Sequence, residues 1–162
     1  MISETSRRGF LAGSAFTIVS PHLVRGAAPA KLRAGLVGCG GRGTQAVNDM
    51  LVGNENVELV AMGDVFEDKL EGSLKRLREG TSLKQYANMP VVRNGQTRGL
   101  TLEELRKDVP ARIQVAPENH FTGFDAFKKV VNSGVDIVML CTPPGYRPEH
   151  FEAAVNAGKH IF

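Results

Sequence analysis

Three glycines, Gly38, Gly40 and Gly43, punctuate the stretch LRAGLVGCGGRGTQAVNDMLVG, and they constrain the fold more than any other feature of this chain. The apolar run Leu32 to Val37 enters the glycines as a buried parallel strand would. What leaves them carries Ala46, Val47, Met50 and Leu51 on one helical face, with Gly53 as the stop. In a Gly-x-Gly-x-x-Gly loop the first glycine permits a tight turn and the second lets backbone approach a pyrophosphate. The third lets the helix pack close to the strand. The helix then presents unpaired N–H groups and its positive end to the phosphates. The candidate cradle is Gly38, Cys39, Gly40, Gly41, Arg42 and Gly43, with Arg42 either a pyrophosphate contact or a solvated surface charge. With 18 glycines in the chain such a pattern also arises by chance, so the strand before it and the helix after it carry the argument.

The rhythm continues. Val57 to Asp64 reads as a second strand, and Phe66, Leu70, Leu74 and Leu77 are spaced for one stripe of a second helix. Asp64 lies 21 residues beyond Gly43, at a strand end, where a carboxylate accepts hydrogen bonds from a ribose 2′-hydroxyl. The same carboxylate repels a 2′-phosphate, and Val65 and Phe66 supply no arginine to offset it, so NAD is favoured over NADP. Residues 80–119 break the pattern: they are polar, carry Pro90, Pro110 and Pro117, and show one clear helix start, the capping box Thr101 to Glu104. A connection of that length is an insertion with a role or a mobile loop. Alternation then resumes with a helix bearing Ala126, Phe127, Val130 and Val131, a strand from Val135 to Cys141, a Thr142-Pro143-Pro144-Gly145 turn, and a helix from Pro148 to Ala157 with Phe151, Ala154 and Val155. Lys159 to Phe162 starts a further strand. The expected fold is α/β, a Rossmann-type doubly wound parallel sheet.

Composition narrows the functional classes. Without residues 1–30 the chain carries 17 basic and 16 acidic residues, which gives no electrostatic reason to expect a nucleic-acid partner. Cys39 and Cys141 make no disulfide framework; each ends an apolar run, and both packing at strand ends and a single bridge are compatible with the sequence. No metal-ligand cluster and no catalytic set is visible. Asp125, Asp136 and Glu149 fall at helix or strand starts, where capping and solvation account for them, His120 and Phe121 precede a short third strand, and His160 lies in the last strand without a partner.

Residues 1–30 have the layout of a secretory signal: Arg7 and Arg8, an apolar stretch from Phe10 to Val19, and a small-residue end at Ala28-Pro29-Ala30, with cleavage expected before Lys31. The apolar part is short and diluted by Gly13, Ser14 and Thr17, whereas a stable membrane span needs about 20 apolar residues. A basic tail or an uncleaved anchor is the alternative. Ser6-Arg7-Arg8-Gly9-Phe10-Leu11 resembles the twin-arginine export motif, which implies export of an already folded protein to the periplasm or another extracytoplasmic compartment. That route suits a protein that must collect its dinucleotide where the dinucleotide is made.

The glycine loop, the aspartate after strand two and above all CTPPGYRPEHFEAAVNAGKHIF resemble the N-terminal domain of the Gfo/Idh/MocA oxidoreductases, over residues 32–162. The resemblance implies that Thr142, Pro143, Pro144 and His150 line the nicotinamide side of a cofactor site; a polar cap at a helix start is the other reading of His150. It also implies a small-molecule sugar or polyol as substrate, and hydride transfer with NAD. Relatives in the family that use NAD in glycoside cleavage supply an alternative activity, and a noncatalytic nucleotide-binding fragment is a third. The family pattern continues beyond the position of Phe162 with a Glu-Lys-Pro turn and a larger C-terminal substrate domain. On this reading the chain is the cofactor part of a longer protein, its Rossmann domain incomplete at the C-terminus, inactive alone, and forming homo-oligomers only through the domain it lacks.

Overall fold

In a computed structural model of the chain the described residues are 31–93 and 95–162. The segment 1–30, with the export and cleavage expectations placed on it, lies outside them. The elements in chain order are β1 (Leu32–Val37), α1 (Gly41–Gly53), β2 (Val57–Asp64), α2 (Glu67–Glu79), β3 (Pro90–Arg93), β4 (Gln96–Gly99), α3 (Leu102–Ala111), β5 (His120–Thr122), α4 (Ala126–Asn132), β6 (Ile137–Leu140), α5 (Arg147–Asn156) and β7 (His160–Ile161). Five strands form one parallel sheet in the order β5-β2-β1-β6-β7. The order runs outward from β1 in both directions, so the chain reverses its course across the sheet between β1 and β6. This is the Rossmann-type arrangement expected from the sequence.

Both faces of the sheet are covered. Leu36, Leu59, Met62 and Met139 face a cluster built with α1, α2 and α3, while Val37, Ala61 and Val138 face a second cluster built with α4 and α5. Residues burying on both faces explain why β1 and β2 read as continuous apolar runs rather than alternating ones. One irregularity resets the alternation: Ala34 pairs with Leu59 but Gly35 pairs with Ala61, leaving Val60 as an extra residue in β2. Its carbonyl accepts a hydrogen bond from Asn119 Nδ2 at 3.0 Å. The bulge thus leaves no unsatisfied acceptor in the core at that point.

The segment 80–119 is neither featureless nor detached. It supplies the antiparallel hairpin β3-β4, helix α3 and a short 3₁₀ turn at Leu83–Tyr86. The capping box is formed as expected: Glu104 N–H donates to Thr101 Oγ1 and the Glu104 carboxylate accepts from Thr101 N–H. The hydrogen bond from Arg98, with the Thr101 cap beside it, holds the Glu104 carboxyl down at about 2. Leu83, Tyr86, Leu100, Leu105, Val109 and Val115 join the first core cluster. Residues 112–114 then run beside β2, with Leu59 N–H donating to Arg112 O and Gln114 N–H to Leu59 O. The segment therefore fills the edge of β2 that β5 leaves open.

Two arginines of this segment are buried, Arg93 at 8% and Arg112 at 4% exposure. Both donate to carbonyls at the C-terminal end of α1: Arg93 to Val52 O at 2.7 Å, and Arg112 to Leu51 O at 2.6 Å. Arg112 also reaches Asn54 O and Val57 O, and Asp108 accepts from both guanidinium groups. Buried cations persist where they are paired and hydrogen-bonded, and these meet the negative end of a helix dipole as well.

Two helix expectations need correction. Phe66 does not join the stripe of α2; it is the extended residue before the helix, 62% exposed, while Leu70, Leu74 and Leu77 are buried. On α5, Phe151 and Val155 are about half exposed at 53% and 51%, and the buried positions are His150 and Ala154.

Candidate functional site

The site is built at the carboxyl ends of β1, β2, β5 and β6, where a cleft of about 590 Å³ opens. Its floor is the glycine loop. Gly38 adopts φ +95°, and a Cβ there would lie 2.8 Å from the Cys141 carbonyl carbon, so the loop passes hard against the end of β6. A Cβ on Gly43 would stand 2.0 Å from Gly38 O, which fixes α1 tight against β1. Gly40 and Gly41 differ: a Cβ on either would meet nothing within 4 Å, and both residues line the cleft. The space a side chain would fill there is what a pyrophosphate needs, so the loop fits the group its pattern implies.

Electrostatics agree. Helix α1 begins at Gly40 with no side-chain cap and no acidic residue in its first turn. Helices α2 and α3 each carry two acids in that position, Glu67 and Asp68, and Glu103 and Glu104. The orphan N–H groups and positive end of α1 are therefore left uncompensated at the cleft, as an anion site requires. Arg42 lines the cleft beside them, its guanidinium 3.9 Å from Asp49. Asp49 in turn accepts from the Tyr86 hydroxyl, so the 80–119 segment reaches this corner too.

Asp64 stands where the sequence places it, at the end of β2. Its carboxylate is pinned from two sides, Oδ2 accepting from Cys39 N–H at 2.6 Å and Oδ1 from Phe66 N–H at 3.0 Å. The contact to Cys39 ties β2 to the glycine loop. Cys39 itself turns inward: its side chain is fully buried, with Sγ 3.5 Å from Gly63 O, and burial together with the Asp64 charge pushes its thiol far above the usual range. Cys39 and Cys141 are both free thiols.

The opposite wall comes from the end of β6 and the start of α5. Thr142 and Pro143 line the cleft; Thr142 Oγ1 lies 3.1 Å from His150 Nδ1, and Thr142 O accepts from Arg147 Nε at 2.8 Å. His150 makes no cap for α5, which has no side-chain cap at all. It is 7% exposed and stacked on Phe127 with ring centroids 4.1 Å apart. Burial pulls its pKa below the ordinary 6.5, so the imidazole is neutral at pH 7.

Of the residues singled out in the sequence, Gly38, Gly40, Gly41, Arg42, Asp64, Thr142, Pro143 and His150 come together around one cleft. Cys39, Gly43 and Pro144 do not line it; the first two act from behind, as a backbone donor and a packing point. The sequence reading missed Phe66 and Phe124, which are 62% and 73% exposed on the Asp64 side of the same cleft. Each lies two residues past a strand end, Phe66 after β2 and Phe124 after β5, and an aromatic just beyond the carboxyl end of a parallel strand was the available signal. The discounted residues stay outside: Asp125 pairs with Lys129 at 3.1 Å, Glu149 with Lys128 at 3.8 Å, and Asp136 accepts from Arg33 N–H at 2.8 Å. Among the described residues no three His, Cys, Asp or Glu side chains gather in a metal-binding group, and no helix is long and apolar enough to cross a membrane.

A parallel sheet of this strand order, with a glycine loop at the reversal point between β1 and β6, defines a Rossmann-type fold. Solved structures share it. The apo scyllo-inositol dehydrogenase of Lactobacillus casei matches over 82% of this chain and 27% of its own, at 20% identity and a TM-score of 0.51. The myo-inositol dehydrogenase of Lactobacillus casei, in complex with NAD(H) and myo-inositol, matches over the same shares at 12% identity and a TM-score of 0.51. At such identities the likeness is one of fold, and the chain spans about a quarter of the length of these neighbours. No family model matches the sequence, and no curated relative matches it.

Proposed function

We propose that this chain is the cofactor-binding domain of an NAD-dependent oxidoreductase of the Gfo/Idh/MocA type, acting on a sugar or polyol. The observation that carries the reading is the open space over Gly40 and Gly41 at the uncompensated start of α1, with Asp64 on one side and Thr142 on the other. In this reading the loop and α1 hold the pyrophosphate, Asp64 takes the adenosine ribose hydroxyls, and Phe66 and Phe124 flank the adenine. The turn at Thr142 and Pro143, braced by neutral His150, supports the nicotinamide. The cofactor supplies the hydride chemistry, and these residues orient it. The solved neighbours are polyol dehydrogenases, which supports this assignment of class. Groups that hold a substrate and move its hydroxyl proton would come from a further domain of a longer protein.

The preference for NAD over NADP rests on the fixed state of Asp64. A carboxylate held by two backbone N–H groups does not swing aside for a 2′-phosphate, and Lys69 on the same side sits 3.7 Å from Asp68. Titration of NADH and NADPH, followed by their own fluorescence, tests this. NADH is expected to bind at least about tenfold more tightly, a difference near 1.4 kcal/mol, and Asp64→Asn to narrow the gap. No saturable binding of either nucleotide, or a preference for NADPH, would refute it. Export of the folded, cofactor-loaded protein through the twin-arginine route completes the proposal; Arg7→Lys with Arg8→Lys is expected to hold the precursor inside the cell, and normal export of that variant would remove the idea.

A further inference from the structure

We infer that Arg147 is a second pyrophosphate-holding residue, which meets the dinucleotide from the wall opposite the glycine loop. The inference rests on the dinucleotide reading above. Arg147 opens α5 and lines the cleft across from Gly40, Gly41 and Arg42. Its Nε donates to Thr142 O at 2.8 Å, which fixes the plane of the guanidinium and leaves both terminal NH₂ groups for another acceptor. Among the described residues no carboxylate forms an ion pair with it, as is also so for Arg33, Arg76, Arg78 and Arg106, but of these five arginines only Arg147 lines the cleft.

Charge balance says what the acceptor is. A dinucleotide pyrophosphate brings two negative charges to the loop. The α1 terminus supplies the equivalent of about half a positive charge, and Arg42 is shared with Asp49. Roughly one charge is left unmet, and an unpaired guanidinium faces that space. Arg42 and Arg147 also act on one sulfur: each favours the Cys141 thiolate against the burial that raises its pKa. Both cations thus surround the point where the ends of β1 and β6 meet, which is where a pyrophosphate lies in a fold of this order. Pinning the Thr142 turn needs a single donor; a forked cation does more than that.

The test compares the wild-type full chain with Arg147→Gln and Arg147→Lys, using NADH, ADP-ribose and adenosine as probes, the last two by displacement of NADH. Saturable NADH binding by the wild type establishes the underlying reading before any variant is measured, and its absence overturns both. Arg147→Gln is expected to weaken NADH and ADP-ribose about tenfold, as loss of a charged hydrogen bond does, and to flatten the dependence on salt. Adenosine, which lacks phosphate, should bind unchanged, and Arg147→Lys, which keeps the charge but not the fork, should recover part of the loss. NADH affinity within twofold of wild type in Arg147→Gln, with the same salt dependence, would overturn the assignment. So would an equal loss for adenosine, which would make Arg147 a support of the turn alone.

Discussion

Alanine substitutions at Gly43 and Gly40 should separate what the glycine loop does for folding from what it does for binding. The new methyl at Gly43 would stand 2.0 Å from Gly38 O, a backbone atom that cannot rotate away. Ordinary contact begins near 3.4 Å, so α1 must move off β1 by about 1 Å or more. Forcing extra volume into a packed interface costs about 1–3 kcal/mol. For a domain of this size that lowers Tm by roughly 3–15 °C. Gly40 sits at φ −69° and ψ −173°, an extended conformation open to any residue, and its added Cβ would meet nothing. As a helix N-cap it should lose no more than about 1 kcal/mol on substitution. Its methyl would, however, occupy the space over the loop, so Gly40→Ala should keep its Tm within a few degrees while binding NADH about tenfold or more weakly. The chain has no tryptophan, so far-UV circular dichroism is the melting probe and NADH fluorescence the binding probe. If Gly43→Ala melted like wild type, or Gly40→Ala bound NADH like wild type, this division of labour would be wrong.

Arg112→Met should be among the most damaging substitutions outside the cleft. It removes the donor shared by the carbonyls of Leu51, Asn54 and Val57, at about 1–3 kcal/mol for a buried acceptor left unsatisfied, while Asp108, 37% exposed, keeps its pair with Arg93; denaturant unfolding with a loss below about 1 kcal/mol would contradict the placement. His150 predicts a pH effect of known sign. Its native pKa lies below the ordinary 6.5, so the unfolded chain binds the proton more readily, and the stability His150 contributes is complete above that value and is lost as pH falls through it. In melts between pH 7.5 and about 5, His150→Asn should remove part of the decline seen in wild type, and an unchanged pH slope would count against a buried, neutral imidazole.

How much of this was legible follows from how local each determinant is. The bounds of β1 and β2 were readable because strands buried on both faces are unbroken apolar runs, Leu32–Val37 and Val57–Asp64. The capping box of α3 was readable because its partners sit three residues apart. The hairpin β3-β4 was missed although Asn94-Gly95, between Val91-Val92 and Gln96 to Gly99, is a strong turn signal. The prolines and polar residues around it drew the reading toward loop. Phe66 was misplaced because it falls one helical turn before Leu70, and periodicity cannot tell a residue in the helix from one just ahead of it. The burial of Arg93 and Arg112 was beyond a local reading, because it depends on carbonyls about 40 to 60 residues away in the chain. For the site the same division holds: the loop and Asp64 follow a spacing rule, whereas the approach of Thr142 to the loop depends on the pairing of β1 with β6.

The two ends of α1 show why the 80–119 segment bears on the site without lining the cleft. A helix kept bare at its N-terminus for an anion forgoes the acidic first turn that α2 and α3 have, a contribution of about 0.3–1 kcal/mol. At its other end Arg93 and Arg112 satisfy the carbonyls of Leu51 and Val52 through four hydrogen bonds and place two cations against the negative pole. Each such charged hydrogen bond contributes about 1.5–3 kcal/mol against an unsatisfied carbonyl, so the C-terminal gain exceeds the N-terminal loss. Helix α1 therefore stays formed with its positive end exposed. Tyr86, from the same segment, holds Asp49 and through it the corner where Arg42 stands. The insertion reaches the cleft indirectly, through the helix whose C-terminal end Arg93 and Arg112 anchor and through the corner that Tyr86 holds.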